Sequence, residues 1–395
     1  MKRISKALCV LLVALTVLPI LPANAADGAD ATLRFGRDGK FKILLVADPQ
    51  DDENLEETTT QILRESLDLT KPDLVIYLGD NTLAGGYEKQ KQAIEAVTAP
   101  VRERNVPFAI VFGNHDDEFG VTKEELLEIY RGLGCLTYDA VPELHGVGNC
   151  NLPILSSDGK KTAFNLWLID SGTYNTDAGA SGYDYVHEDQ LRWYKETAAQ
   201  LAAENGGKVV PALDFQHIVI PEIYDKLYAK LTFPMGKLSQ ERLGAIYSTT
   251  PVLTRLNGYW LEQCCPPDVY DGQLDAWKEV GDVLAEFHGH DHNNSYEVNI
   301  DGIDVINVPS VGCNAYSREI SRGVGLVTLD EADLTTYTYE LIHTFDLALA
   351  KGSQIPNVDG GQTKAFYWRM RILDRIVMAL FRLCRLYYRF FPEIL

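Results

Sequence analysis

Phe41-Lys42-Ile43-Leu44-Leu45-Val46-Ala47 is a nearly continuous apolar run that stops abruptly at Asp48-Pro49-Gln50. A short run of this kind predicts a strand buried on both faces, as in a parallel sheet. The same grammar recurs where Asp73-Leu74-Val75-Ile76-Tyr77-Leu78 meets Gly79-Asp80-Asn81, and where Pro107-Phe108-Ala109-Ile110-Val111-Phe112 meets Gly113-Asn114-His115-Asp116. Helical patterns over Glu56 to Leu69 and Tyr87 to Val97 lie between the three runs. Strand, polar loop, helix and strand in alternation predict an α/β protein with a parallel sheet covered by helices and functional loops at the carboxyl ends of its strands.

Further along, Ala163 to Ile169 leads into Asp170-Ser171-Gly172, Val209 to Phe215 precedes His217, and Val283 to Phe287 precedes Gly289-His290-Asp291-His292. A helix is predicted over His187 to Ala203. The runs 296–300, 305–308 and 325–329 alternate as antiparallel strands do and are expected to close a second sheet. Thr232 to Asp271, with its prolines, glycines and the pair Cys264-Cys265, reads as a long irregular insertion bordering the site.

Both termini differ from this body. Lys2, Arg3 and Lys6 precede the apolar run Ala7 to Leu21, and Ala23-Asn24-Ala25 supplies small residues for cleavage, so residues 1–25 read as a signal peptide and the product as secreted; a retained membrane anchor is the competing reading. Residues 351–364 read as a polar linker and 365–395 as a basic amphipathic helix, leaving 36–345 for the main domain. At 100° per residue Arg371, Arg375, Arg382, Arg385 and Arg389 fall in one sector roughly 80° wide, opposite Leu373, Ile376, Leu380, Leu383 and Tyr387. Such a stripe predicts docking at an anionic membrane surface, against the plainer reading of a terminal helix packed on the domain or in an oligomer.

The formal charge is −20, and removing the three leader cations takes it to −23. A basic nucleic-acid-binding surface is excluded. Any phosphate chemistry on so acidic a chain needs strong local positive charge, for which bound metal ions are the direct source. Six cysteines remain beyond Cys9; Cys135 and Cys150 are placed to close a local loop, but there is no disulfide scaffold, and Cys264-Cys265 matches no zinc spacing.

Metal-assisted phosphoryl transfer needs carboxylate, amide and imidazole ligands on rigid elements, with one group bridging two ions. Asp48, Gln50, Asp80, Asn114, His217, His290 and His292 supply that set at strand ends. Singly, each reads as a cap, turn or surface residue. Their coincidence is informative because four of only 8 histidines, His115, His217, His290 and His292, follow apolar strands. His288 has the same parity as His290 but precedes the glycine, which reads as buried or as a support behind the ligands.

These motifs, Asp48-Pro49-Gln50, Gly79-Asp80, Gly113-Asn114-His115-Asp116, His217 and Gly289-His290-Asp291-His292, resemble in order the five motifs of the calcineurin-like metallophosphoesterases. Phe215-Gln216-His217-Ile218 with Pro221-Glu222, and Ser181-Gly182-Tyr183-Asp184-Tyr185, resemble the branch of small phosphatases related to purple acid phosphatases. The resemblance implies a four-layer α/β/β/α sandwich of two mixed sheets flanked by helices. It further implies two divalent metal ions (Mn, Fe, Zn or Mg), with Asp48, Gln50, Asp80 and His292 around one and Asp80, Asn114, His217 and His290 around the other. His115 then acts on the leaving oxygen. Asp116 is a candidate to orient it, with surface salt-bridging as the equal reading. Glu222, Asp170, Asn175 and His288 are weaker candidates for supporting or substrate contacts, with turn chemistry and surface pairing as the plainer roles. The substrate implied is a small phosphate ester, a monoester favoured over a diester, and the alternative is a non-catalytic metal- or phosphate-binding module derived from the family. Gln50 stands where the family most often has histidine; its amide oxygen is a weaker, harder ligand that favours Mn or Mg over Zn.

Overall fold

The computed structural model describes residues 32–176, 182–347 and 364–390. The leader and the 351–363 part of the linker lie outside the described residues. In chain order the elements are β1 (Lys40–Val46), α1 (Glu57–Thr70), β2 (Leu74–Leu78), α2 (Tyr87–Arg102), β3 (Phe108–Val111), α3 (Lys123–Gly132), β4 (Cys150–Leu155), β5 (Thr162–Leu168), α4 (Glu188–Glu204), β6 (Ala212–Phe215) and α5 (Ile223–Leu227). Then follow β7 (Tyr228–Leu231), β8 (Ser239–Arg242), β9 (Ala245–Pro251), β10 (Asn257–Tyr259), α6 (Gln273–Val280), β11 (Val283–His288), β12 (Ser295–Ile300), β13 (Ile303–Asn307), β14 (Gly323–Asp330), β15 (Asp333–His343) and α7 (Lys364–Phe390).

Two mixed sheets make the body, ordered β15-β14-β1-β2-β3 and β10-β12-β13-β11-β6-β5-β4. The apolar runs are continuous because both faces of each central strand are covered. In β1, Ile43 and Leu45 face the core between the sheets, while Leu44 and Val46 face the helices. The two-residue period divides Leu74, Ile76 and Leu78 from Val75 and Tyr77 in β2 in the same way. A third core packs the outer face of the second sheet on α4, α5 and α6 through Trp167, Trp193, Tyr224 and Trp277. The result is the four-layer α/β/β/α sandwich, with α7 appended.

β1, β2 and β3 pair in parallel, as do β5, β6, β11 and β13. Parallel pairing sends all the strand ends of one sheet to the same edge. The two edges meet: Val311 N–H donates to Ala47 O across the sheets.

Three expectations are corrected. The late strands do not close the second sheet together: β12 and β13 belong to it, but β14 runs antiparallel to β1 and completes the first sheet with β15. Residues 232–271 are only partly irregular: β8 and β9 lie there and form a three-stranded antiparallel sheet with the preceding β7, and β10 extends the second sheet. Its strands, such as Ser239–Arg242, are part-exposed and polar, so they carry no apolar run to read. Cys135 and Cys150 are separate buried thiols rather than a bridge, each pushed up by burial, to about 11 and about 12.

The start of α7 is fastened to the domain. Asp374 accepts from Tyr259 Oη at 2.8 Å, and Arg371 pairs with Asp346 at 3.2 Å. Arg371 therefore faces the protein instead of joining a solvent-facing arginine stripe. Trp368, Leu373, Ile376, Leu380 and Leu383 are exposed.

Candidate metal centre

Asp48, Gln50, Asp80, Asn114, His217, His290 and His292 are all buried at the joined edge of the two sheets. The backbone is bent sharply to bring them there. Of the eight non-glycine residues with positive φ among the described residues, four are Asp48 (46°), Gln50 (40°), Asp80 (49°) and His290 (68°). Left-handed backbone costs non-glycine residues roughly 1–3 kcal/mol each and persists where surrounding structure enforces it. Two glycines let the strand ends close up: a Cβ on Gly113 would lie 2.1 Å from Asp80 Oδ1, and one on Gly289 2.5 Å from Asp48 Oδ2.

Two triads share one carboxylate. Asp80, His217 and His290 form one, and Asp48, Asp80 and His292 the other, each with potential ligand atoms within 4.8 Å of one another. His217 presents Nδ1–H to Leu78 O at 2.7 Å, and His292 presents Nδ1–H to Tyr316 O at 2.8 Å. Both rings thereby turn Nε2 into the cluster, the arrangement by which backbone carbonyls orient metal-binding histidines. His217 Nε2 is 3.2 Å from Asp80 Oδ2, and His292 Nε2 is 3.5 Å from Asp48 Oδ1. Ligand atoms that share an ion through bonds of about 2.0–2.2 Å sit about 3.0–3.5 Å apart.

Two buried atoms at this edge, Asn114 Oδ1 and His290 Nε2, have no hydrogen-bond partner, and His217 Nε2 faces the Asp80 carboxylate at 3.2 Å. An unpartnered buried polar atom costs about 1–3 kcal/mol, and two of them beside His217 Nε2 and a shared carboxylate are a donor set fitted to a cation.

The protonation pattern agrees. Burial, assisted by the neighbouring His217, holds His290 well below the ordinary imidazole range, and burial, with His217 and His115 adding to it, brings His292 down to about 4. Burial would also lower His217, but the Asp80 and Asp48 carboxylates outweigh it and raise that ring to about 9. Burial would raise Asp80 as well; His217 and His115 reverse this and hold it below the carboxylate range. The centre thus contains an ionised Asp80 beside two neutral imidazoles, with one proton held on His217 where a cation would substitute for it.

Gln50 lies in the cluster, but its Nε2 donates to Asp80 Oδ2 at 2.9 Å. Asp116 does not orient His115. Its carboxylate accepts from the backbone N–H groups of Asp80 (3.0 Å), Asn81 (2.8 Å) and Gly113 (2.8 Å), clamping two ligand loops together. Glu118 contacts His115 instead, 2.7 Å from Nδ1, and accepts from Tyr174 Oη at 2.9 Å. Two residues beyond Asp116 in the same turn, this glutamate carries no motif to mark it.

The weaker candidates lie elsewhere. His288 is enclosed behind the cluster between Glu286 (3.0 Å) and Tyr296 Oη (3.1 Å). Asp170 is held by Lys123 at 2.9 Å and by Val147 N–H at 2.8 Å. Asn175 donates its backbone N–H to Gly182 O. Glu222 begins α5 among Asp271, Asp275 and Asp225, while both nitrogens of His217 are directed at other groups.

A cleft of about 120 Å³ opens over the cluster, walled by Tyr183, Glu262, Gln263, Cys265 and Tyr316. Tyr183 meets His290 edge-on at 4.4 Å, and Tyr316 stacks on His292 at 4.2 Å. His115, 37% exposed, stands at its rim.

This chain is 28% identical over 321 residues to the Arabidopsis thaliana protein named "Probable inactive purple acid phosphatase 14", covering 72% of this chain and 74% of that one. It is 29% identical over 209 residues to phosphatase DCR2 of Saccharomyces cerevisiae, covering 47% of this chain and 36% of the yeast protein. A dimetal phosphatase from Danio rerio superposes with a TM-score of 0.45 at 12% identity, covering 76% of this chain and 98% of that structure. Residues 41–294 match the calcineurin-like phosphoesterase family, spanning every strand-end motif in the cluster, and the chain belongs to that family.

Proposed function

We propose that the chain hydrolyses a small phosphate monoester at a binuclear metal centre. The observation that carries this reading is the convergence of two unpartnered buried atoms, on Asn114 and His290, and of His217 Nε2 on the carboxylate shared by two triads. Asp48, Gln50, Asp80 and His292 hold one ion, and Asp80, Asn114, His217 and His290 the other. Gln50 takes part once its amide turns to present Oε1. Bound there, two divalent cations supply Lewis acidity to a water and to the phosphoryl oxygens for in-line displacement.

The remaining work falls to side chains. Glu118 accepts from Nδ1–H of His115 and holds the ring so that Nε2 addresses the cleft, where it acts on the departing oxygen. The narrow cleft, with Glu262 and Asp291 on its walls, suits one small leaving group without further phosphates. A second reading, a metal-holding module without turnover, is supported by Gln50, which donates to Asp80 here rather than offering an oxygen. His115→Ala separates the two. Loss of aryl phosphate turnover with metal content retained supports catalysis, and unchanged turnover refutes the role of His115.

Export and a peripheral membrane contact belong to the same proposal. Export is supported by the cationic, apolar and small-residue pattern of residues 1–25. Membrane contact is supported by the exposed Trp368, Leu373, Ile376, Leu380 and Leu383 on α7, a helix with a single acid, Asp374. Among the described residues no helix is long and apolar enough to cross a membrane. Flotation with anionic liposomes, with and without residues after Lys364, tests the contact; equal recovery of both forms rejects it.

A further inference from the structure

The segment 260–268, between β10 and α6, supplies Glu262, Gln263 and Cys265 to the wall of the cleft and is fastened on two sides. On the inner side it is joined to the two asparagines that follow His292. Asn294, fully buried, lays its side-chain amide along the backbone of the segment: Oδ1 accepts from the N–H groups of Leu261 at 2.8 Å and Glu262 at 3.1 Å, and Nδ2 donates to Glu262 O at 3.1 Å. The Glu262 carboxylate in turn accepts from Asn293 N–H at 2.6 Å and from Asn293 Nδ2 at 2.8 Å. The wall is thus tied directly to the loop that carries His290 and His292.

The outer side rests on α5 and the small antiparallel sheet. Tyr228 Oη of β7 accepts from Cys264 N–H at 3.1 Å and from Trp260 Nε1 at 3.0 Å, and Tyr224 Oη of α5 donates to Cys264 O at 3.0 Å. From β8, Gln240 accepts from Gln263 Nε2, and Arg242 pairs with Asp268 and donates to Pro266 O at 2.8 Å. Cys264 is fully buried between the two sets of contacts, whereas Gln263 is exposed and Cys265 part-exposed. A backbone whose buried N–H and C=O groups are bonded from both sides cannot withdraw without leaving them unpaired, so its side chains present a fixed boundary to whatever stands over the metal cluster.

We propose that segment 260–268 is the specificity wall of this centre, that Asn294 and Tyr228 are its positioning residues, and that it confines hydrolysis to esters carrying one organic group on phosphorus. The inference rests on the hydrolytic reading above and adds what selects the substrate. A phosphoryl group over Asp80, His290 and His292 takes up the floor of a cleft of about 120 Å³, and one organic group leaves past His115 at the rim. A diester carries a second organic group, which has no room unless Gln263 or Cys265 gives way. Selection of this kind needs a boundary that stays in place when the wrong substrate presses on it, and the hydrogen bonds of Asn294 and Tyr228 supply that stiffness. The three-stranded sheet thereby acquires a task, which is to back the wall from outside.

The test compares 4-nitrophenyl phosphate with bis(4-nitrophenyl) phosphate on the full manganese-loaded chain; the two share a leaving group and differ by one aryl group. The proteins are the wild type, Gln263→Gly, Tyr228→Phe and Asn294→Ser. The ratio of kcat/KM for diester to that for monoester should rise about tenfold in Gln263→Gly, whose exposed side chain is removed without touching the core, and by about threefold or more in the other two, chiefly through a lower KM for the diester. Lost metal or partial unfolding lowers both substrates together and leaves the ratio where it was. A second readout is independent of turnover: alkylation of Cys265 by a maleimide, followed by peptide mass mapping with Cys313 as the internal reference, should quicken by about threefold or more in Tyr228→Phe and Asn294→Ser. A ratio that is the same in every protein, or a wild type that cleaves the diester as readily as the monoester, overturns the specificity wall; equal alkylation rates overturn the positioning role of Asn294 and Tyr228. Absence of turnover on both substrates by the loaded wild type rejects the hydrolytic reading itself and with it the specificity role, and the alkylation rates then still decide whether the two residues hold the wall.

Discussion

His115 Nδ1 lies 2.7 Å from the Glu118 carboxylate, and the same carboxylate accepts from Tyr174 Oη at 2.9 Å. A ring held this way has its other nitrogen fixed over the cleft. Glu118→Gln keeps the shape but removes the charge. Its kcat on an aryl phosphate should fall about tenfold to a hundredfold with KM little changed, since carboxylates behind a reacting imidazole contribute on that order. Steady-state kinetics at matched metal loading checks it; an unchanged kcat would remove Glu118 from the account.

Gln50 contacts the shared carboxylate through Nε2, at 2.9 Å from Asp80 Oδ2. An imidazole in its place adds a neutral nitrogen ligand. Gln50→His should raise zinc affinity about tenfold or more, and Gln50→Ala should lower affinity for the ion beside Asp48. Competition against a calibrated chelator measures both.

Asp116 accepts three backbone N–H groups, from Asp80, Asn81 and Gly113. Asparagine has a single acceptor oxygen and would turn its NH₂ toward one of those donors. Asp116→Asn should cost about 2–4 kcal/mol of stability through unmade buried hydrogen bonds. Denaturant titration of the metal-free protein reads this without involving catalysis.

Glu222 supplies a pH test. Burial first, then the neighbouring Asp271 carboxylate, pushes it from 4.5 up to about 7. A carboxyl with a raised folded pKa binds its proton more tightly when folded. Its contribution is therefore fully present below about pH 4.5 and is lost as pH rises through about 7. Glutamine mimics the protonated form, so Glu222→Gln should stabilise the fold by about 1–2 kcal/mol at pH 8 and by nothing at pH 4. Thermal unfolding at the two pH values checks the sign.

The sheets and most of the cluster are legible in the sequence because both arise from one pattern, an apolar run stopping at a polar residue. Parallel strands buried on both faces cannot hide that pattern, and their carboxyl ends must share an edge. What the pattern does not carry is long-range pairing: nothing local in Gly323–Asp330 says that it joins β1 instead of β13. Strands β7 to β9 escape notice because their residues are largely part-exposed and mixed in polarity. Glu118, Tyr174, Tyr183 and Tyr316 reach the site as single residues from loops, where one side chain gives no periodic signal. Asp116 shows how adjacency misleads: next to His115 in the chain, it turns inward to the backbone of two loops.

The central claim is that Asp80 joins two metal ions that together support phosphate-ester hydrolysis. The most direct measurement is the turnover of an aryl phosphate by chelator-stripped protein as manganese is titrated in. Turnover should start near zero, rise to a plateau at two equivalents per chain, and stay flat throughout for Asp80→Asn. Full turnover in the stripped protein, or an Asp80→Asn titration that follows the wild type, would contradict it.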